Sequence, residues 1–191
     1  MNRFPLLVVP ALAMALAACE ASEAPVEQQT AEAEQPALLG GTTINLADGG
    51  DAGSAELNAT GDDVTISITL ANLPEGTHAV HLHTTGTCEG PDFTSAGPHL
   101  NPGMKEHGTE NPAGAHLGDL PNAVIGADGS GSISATLRGT REEVLSAIFD
   151  EDGTAVVVHE GEDDYVTDPS GDAGGRIACG VLSQTTGQTP S

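Results

Sequence analysis

This chain of 191 residues contains three Phe, one Tyr and no Trp. A core so poor in rings has to be filled by Val, Ile, Leu and Ala. Basic side chains are equally scarce: Lys and Arg total 5 against 28 Asp and Glu, for a formal net charge of −23. A surface of that sign repels nucleic-acid phosphates and anionic membranes, which excludes both as charge-driven partners. The same charge opposes the approach of any small anion. There is no internal repeat, and the one apolar run is too short to span a bilayer comfortably. The length is enough for one ordinary domain with a real core.

That apolar run is N-terminal. "MNRFPLLVVPALAMALAAC" has Arg3, then apolar residues interrupted by Pro5 and Pro10, then small residues. Residues 1–18 read as a secretory signal. The ending "LAAC" resembles a bacterial lipobox, which implies cleavage before Cys19 and lipid attachment to its thiol. Residues 19–38 are rich in Ala, Glu, Gln and Pro with no apolar period, as expected of a flexible acidic tether. The folded domain is expected over residues 39–185, with a polar tail over 186–191. The expected location is the periplasmic side of a cell envelope, held through the lipid alone.

Setting Cys19 aside leaves Cys88 and Cys179. An even pair in an exported chain reads as a disulfide, with a redox pair or two metal thiolates as alternatives; neither residue lies in a C-x-x-C. Closing a loop of about 90 residues adds roughly 4 kcal/mol in the chain-entropy account.

From residue 40 on, strand signals dominate. "SAELNAT" and "DVTISITLANL" alternate, with Val64, Ile66, Ile68 and Leu70 on one face. "HAVHLHT", "GSISATL", "TAVVVHE" and "RIACGVL" are further short runs, separated by turns such as "DGGDAG", "LPEG" and "GADGSG". The pattern predicts an all-β antiparallel sandwich or barrel. "TREEVLSAIF" fits a short helix and a loop plus strand equally. Two long connections, residues 84–119 and 160–175, lack strand character, and long ordered loops in a compact domain are usually functional.

The chain has seven histidines. On a strand His81 and His83 share a face, with Leu82 opposite. His78 falls on the Leu82 side and reads as a structural histidine bonded to backbone. His99, His107, His116 and His159 complete the set, and Asp119 follows His116 closely. Six histidines and one Asp fit two sites. Imidazole alone suits copper or zinc, and three imidazoles with a carboxylate suit tetrahedral zinc.

The runs "HAVHLH", "SAGPHLNP", "HLGDLPN", "VVVHE", "DDY" and "GGRIACGVL", in this order and spacing, resemble the copper/zinc superoxide dismutases of the exported bacterial kind, over residues 40–183. The resemblance implies a Greek-key antiparallel β-barrel or sandwich, immunoglobulin-like, with two functional loops. It implies dismutation of superoxide to dioxygen and hydrogen peroxide, with one copper and one zinc per subunit, in a monomer or homodimer. Copper would be held by His81, His83, His99 and His159. Zinc would be held by His107, His116 and Asp119, with His99 bridging. Cys88 would pair with Cys179 and tie the first long loop to the last strand. Arg176 would dock the anion beside copper, and His99 would move a proton. Asp163 would hydrogen-bond one histidine of each site, with Asp164 as the competing choice.

Three departures from the family pattern stand out. Thr84 follows the H-x-H pair where an acidic residue is common, and Thr85 and Thr87 follow where Gly and Asp or Asn are usual. The loop over 160–175 has no lysine. Lys105, between His99 and His107, is the candidate substitute for steering. Two rivals are a metal carrier without catalysis and an adhesive β-sandwich whose histidines only satisfy buried hydrogen bonds.

Overall fold

Short alternating segments with Gly- and Asp-rich turns become strands here, because each can bury only one face. The computed structural model describes residues 35–185. The signal segment, Cys19, the tether to residue 34 and the tail from 186 lie outside the described residues. The strands are β1 (Ala37–Leu46), β2 (Asp51–Thr60), β3 (Asp63–Leu70), β4 (Gly76–His78), β5 (Val80–His83), β6 (Ala123–Ile125), β7 (Gly131–Thr136), β8 (Ala155–His159), β9 (Arg176–Val181) and β10 (Ser183–Gln184); one helix, α1 (Arg141–Ile148), joins β7 to β8. β1 begins two residues inside the stretch read as tether. No helix among the described residues is long and apolar enough to cross a membrane.

The main sheet runs β5-β8-β9-β1-β2-β3-β7, with β10 beside β1, and β4 pairs with β6. Every pairing is antiparallel. The path from β3 through β4 to β5 and the connection from β7 to β8 cross from one side of the ladder to the other, as in a Greek key. Ala79 alone separates β4 from β5, and a tight turn joins β6 to β7 (Gly126 N–H to Ser130 O, 2.9 Å). These links curl the two ends of the ladder towards each other.

β3 shows the expected alternation, with Val64, Ile66, Ile68 and Leu70 all buried in the core. Leu57 on β2, Ile44 on β1, Val80 and Leu82 on β5, and Val156 and Val158 on β8 fill the same core. Gly53 is forced: its φ is +125°, and a Cβ there would overlap the carbonyl oxygen of Thr69. The ambiguous stretch is a helix. Thr140 and Glu143 form a reciprocal capping box, in which the Thr140 N–H donates to Glu143 Oε2 (2.9 Å) and the Glu143 N–H donates to Thr140 Oγ1 (3.4 Å). Val144 and Ile148, four residues apart, bury the inner face of α1.

The two long connections cover the outer face of β5 and β8. Both arms of the first bond to the exposed edge of β5: the Leu100 N–H donates to Leu82 O (2.7 Å), and the Leu82 N–H donates to Gly118 O (2.9 Å). A second, smaller apolar cluster of Phe93, Ala96, Ala155, Val157 and Cys179 lies under this loop. All four residues of β5 and all five of β8 are therefore buried on both faces.

Candidate metal centre

Strand geometry sends Val80 and Leu82 into the core and His81 and His83 to the opposite face. His159 ends β8 beside them, its N–H bonded to Ala79 O at 2.9 Å. His99 arrives from the first loop, set by a bridge between His83 and His99. Ring centroids lie 4.0 Å apart for His81 and His99, 4.8 Å for His81 and His159, and 5.0 Å for His83 and His99. The four rings offer nitrogens within 4.8 Å of one another, and all are buried.

Each of the four rings has one nitrogen within hydrogen-bond distance of an acceptor, Asp119 Oδ1 in the case of His99 Nδ1 (3.0 Å). His81 Nε2 donates to Asp163 Oδ2 (2.8 Å), His83 Nδ1 to Gly97 O (2.8 Å) and His159 Nδ1 to Gly174 O (3.3 Å). His81 Nδ1, His83 Nε2, His99 Nε2 and His159 Nε2 are buried with no hydrogen-bond partner among the described residues. Each such atom costs about 1–3 kcal/mol in a folded protein. Four lone pairs converging with no donor among the described residues fit a cation. Burial pushes His83 down to about 2, His159 to about 3 and His99 to about 4. These rings are neutral near pH 7, the form that binds metal.

The second group is built around one oxygen. Asp119 Oδ1 lies 3.0 Å from His99 Nδ1, 3.1 Å from His107 Nδ1 and 3.1 Å from His116 Nδ1, and the His99 and His116 Nδ1 atoms are 3.4 Å apart. A tetrahedron with metal–ligand bonds near 2.0 Å has edges of about 3.3 Å, so these four atoms stand as corners of a zinc-sized polyhedron. The contact of His107 Nδ1 lacks hydrogen-bond direction, as befits two ligands side by side. Asp119 Oδ2 accepts from the backbone N–H of Gly108 (2.9 Å) and of His116 (3.0 Å), which fixes the carboxylate. Asp119 is held well below the usual carboxylate range: burial opposes this, and His107, His99 and the Gly108 N–H prevail. His99 belongs to both groups, with Nε2 towards one and Nδ1 towards the other.

Residues 51–182 match the copper/zinc superoxide dismutase family. The chain belongs to the copper/zinc superoxide dismutases. It is 44% identical over 135 residues to superoxide dismutase [Cu-Zn] 1 of Aquifex aeolicus, covering 68% of this chain and 79% of that protein. A superoxide dismutase [Cu-Zn] of Caulobacter vibrioides is 38% identical over 145 residues, covering 73% and 82%. Among solved structures, a SOD-like protein from Bacillus subtilis aligns with TM-score 0.71 at 39% identity, covering 77% of this chain and all of that one.

In this dismutase the structure chooses between the two adjacent aspartates. Asp163 is buried and joins the two groups: its Oδ2 takes the bond from His81, and its Oδ1 accepts from His107 Nε2 at 2.9 Å. It is not a third metal site, because both of those ring nitrogens are donors to it. Asp164 is exposed and caps the turn to Thr167. Gly171 leaves room for this: its φ is +67°, and a Cβ there would overlap Asp163 Oδ1 and lie 2.8 Å from His107 Nε2. Among the described residues His78 lies against two backbone carbonyls, with Nδ1 2.8 Å from His159 O and Nε2 3.0 Å from Pro74 O. Cys88 and Cys179 form a disulfide, with Cα atoms 5.7 Å apart. Arg176 is half-buried; Nη1 donates to Phe93 O and Nη2 to Gly97 O, each at 2.7 Å. The Gly97 carbonyl thus receives both His83 and Arg176. Sequence reading missed this acceptor and that of Gly174, since a carbonyl has no residue signature.

The depressed histidines set a pH dependence for chelator-treated protein. Between pH 6.5 and 5 an unfolded chain takes up protons on His83, His99 and His159, and the folded chain does not; nearer pH 4 His99 also takes up a proton in the folded chain and only His83 and His159 keep the difference. The unfolded state then binds more protons, so stability falls as pH falls, by up to about 1.4 kcal/mol per pH unit for each ring. Urea midpoints measured from pH 7 to pH 4 are expected to drop steeply. A flat profile across that window would contradict the burial of neutral rings.

Proposed function

We propose that His81 Nδ1 and the Nε2 atoms of His83, His99 and His159 hold copper, while the Nδ1 atoms of His99, His107 and His116 with Asp119 Oδ1 hold zinc. The convergence of four partnerless buried nitrogens carries this reading. Copper held by the four imidazoles would supply two accessible oxidation states, the one-electron chemistry that dismutation of superoxide needs, whereas zinc held beside it would supply a single state and a fixed position.

The chain's own residues do the rest. Arg176 has spent two of its five donors on the Phe93 and Gly97 carbonyls. Those bonds aim the guanidinium, and its free donors bind the anion by charge-assisted hydrogen bonds. When not engaged with copper, His99 Nε2 is the atom that would hold and release a proton at the four-imidazole face, while Nδ1 keeps the ring placed beside Asp119. Asp163 fixes the tautomers of His81 and His107. The covering loops exclude bulk water.

We further propose, from the N-terminal apolar run ending in "LAAC", that the protein works on the periplasmic side of the envelope, anchored by a lipid on Cys19, as a monomer or homodimer defending that compartment. A metal carrier is the rival, and the intact Arg176 with its two fixed bonds favours the enzyme.

Steering has to work against the surface. The loop over 160–175 holds Glu160, Glu162, Asp163, Asp164, Asp168 and Asp172 and no Lys. Lys105 lines a depression of about 510 Å³ with His99 and His116, on the zinc side. Attraction is therefore local to Arg176 and the metal charges, and the rest repels. With copper and zinc each found at one per chain, superoxide decay is expected to be strongly accelerated, with rates rising as salt screens the repulsion. Full copper with no acceleration would support the carrier, and rates that fall steadily with salt would contradict the steering account.

A further inference from the structure

Two pieces of the motifs, Asn122 of "HLGDLPN" and Tyr165 of "DDY", have no part in the site as described. Both are joined to Asp163. Asn122 Nδ2 donates to Asp163 O at 2.9 Å, and the Asp163 N–H donates to Asn122 Oδ1 at 2.9 Å. One carboxamide thus meets both backbone groups of one residue, as a neighbouring strand would. The Asn122 N–H donates to the Tyr165 hydroxyl at 2.8 Å, and the Tyr165 N–H donates to Asp163 Oδ1 at 2.7 Å.

The placement of Asn122 gives the clamp a rigid base. It lies three residues after Asp119 and directly before β6, whose first residue Ala123 pairs with His78. Asp163 lies in a loop with no regular structure of its own. Tyr165 has φ 63°, an uncommon conformation for a residue with a side chain, so local preference does not hold this turn in shape. Tyr165 O accepts from the Glu110 N–H at 3.0 Å, which ties the turn to the first loop.

We propose that Asn122, with Tyr165, is the positioning residue that fixes the backbone of Asp163 so that its two oxygens reach His81 and His107 together. It rests on the assignment of those two rings to copper and zinc. Truncating Asn122 frees rotation about the Asp163 backbone. Both ring bonds then lengthen together, and both metal groups loosen through one residue. A bond that merely stabilised the loop would act on affinity with or without the Asp163 carboxylate.

The test is a cycle of Asn122→Ala, Asp163→Ala and the double variant, read by zinc dissociation constants from chelator competition and by the electron paramagnetic resonance spectrum of bound copper. Partners of this kind change metal affinity by about 10–100-fold. Asn122→Ala is expected to weaken zinc about tenfold and to alter the copper spectrum in the wild-type background, and to change neither further once Asp163 is Ala. Tyr165→Phe keeps the ring and removes the hydroxyl; it is expected to shift both readings in the same direction by less, and it serves if Asn122→Ala does not fold. Equal losses in both backgrounds, or no loss in the single variants, would overturn the proposal. A wild-type chain that takes up neither metal would overturn the site assignment and this inference together; metal uptake with an inert Asn122 would overturn the inference alone.

Discussion

Dismutation by His159→Ala is expected to fall by about 10³-fold or more while zinc stays bound near one per chain. His159 is a member of the four-imidazole group only; the Asp119 group is complete without it. Its ring hangs from the last residue of β8, whose backbone bonds to Ala79 and β9 do not depend on the side chain. Truncation removes one of four converging nitrogens and opens a gap that water can enter. Loss of a ligand costs more than loss of its hydrogen-bonding support, and 10³-fold corresponds to about 4 kcal/mol of transition-state stabilisation. Copper content is expected to drop with activity. Metal analysis of the variant checks the division directly. Joint loss of zinc would show that the two groups are not separable in this way, and retained turnover would remove His159 from the site.

The same variant separates what was legible in the sequence from what was not. His81 and His83 could be put on one face by strand period alone, and His159 by its place at the end of an apolar run. β3 was equally plain, since its four inward residues alternate without interruption. β1 was not, because Gly40, Gly41 and register shifts after Leu38 and Ile44 break its alternation. The helix was written in Thr140 and Glu143, but with only Val144 and Ile148 buried its period was too short to outweigh a strand.

The choice between Asp163 and Asp164 was harder. Adjacent carboxylates in an acidic run carry no pattern that tells them apart. What decides is the shape of the loop, made by Gly171 and the left-handed Tyr165 and held by Asn122, and that shape depends on contacts across 41 residues of sequence. The backbone acceptors Gly97 and Gly174 are the extreme case. Any residue offers a carbonyl, so only the fold shows which one faces a histidine.

Replacing Cys88 and Cys179 together by Ala is expected to lower stability by about 4–5 kcal/mol, the chain-entropy figure for a loop closed over 91 residues. Ala suits a site where Cys179 is buried among Phe93, Ala96, Ala155 and Val157, because it leaves no polar atom behind. The effect should not stop at stability. Cys179 is fixed in β9, three residues from Arg176, while Cys88 opens the segment that carries Phe93 O and Gly97 O. Those two carbonyls hold Arg176, and Gly97 O also holds His83. Without the bridge only the small apolar cluster and a few hydrogen bonds press this segment onto the barrel. The metal-loaded variant is therefore expected to lose about tenfold in kcat/KM at full copper occupancy, about 1.4 kcal/mol, as His83 and Arg176 lose their common acceptor for part of the time. Urea unfolding of the loaded protein gives the first number, and superoxide decay on the same sample gives the second. A stability loss with undiminished activity would mean that the Phe93 cluster alone holds the Gly97 carbonyl in place, and that the disulfide serves the fold without serving the site.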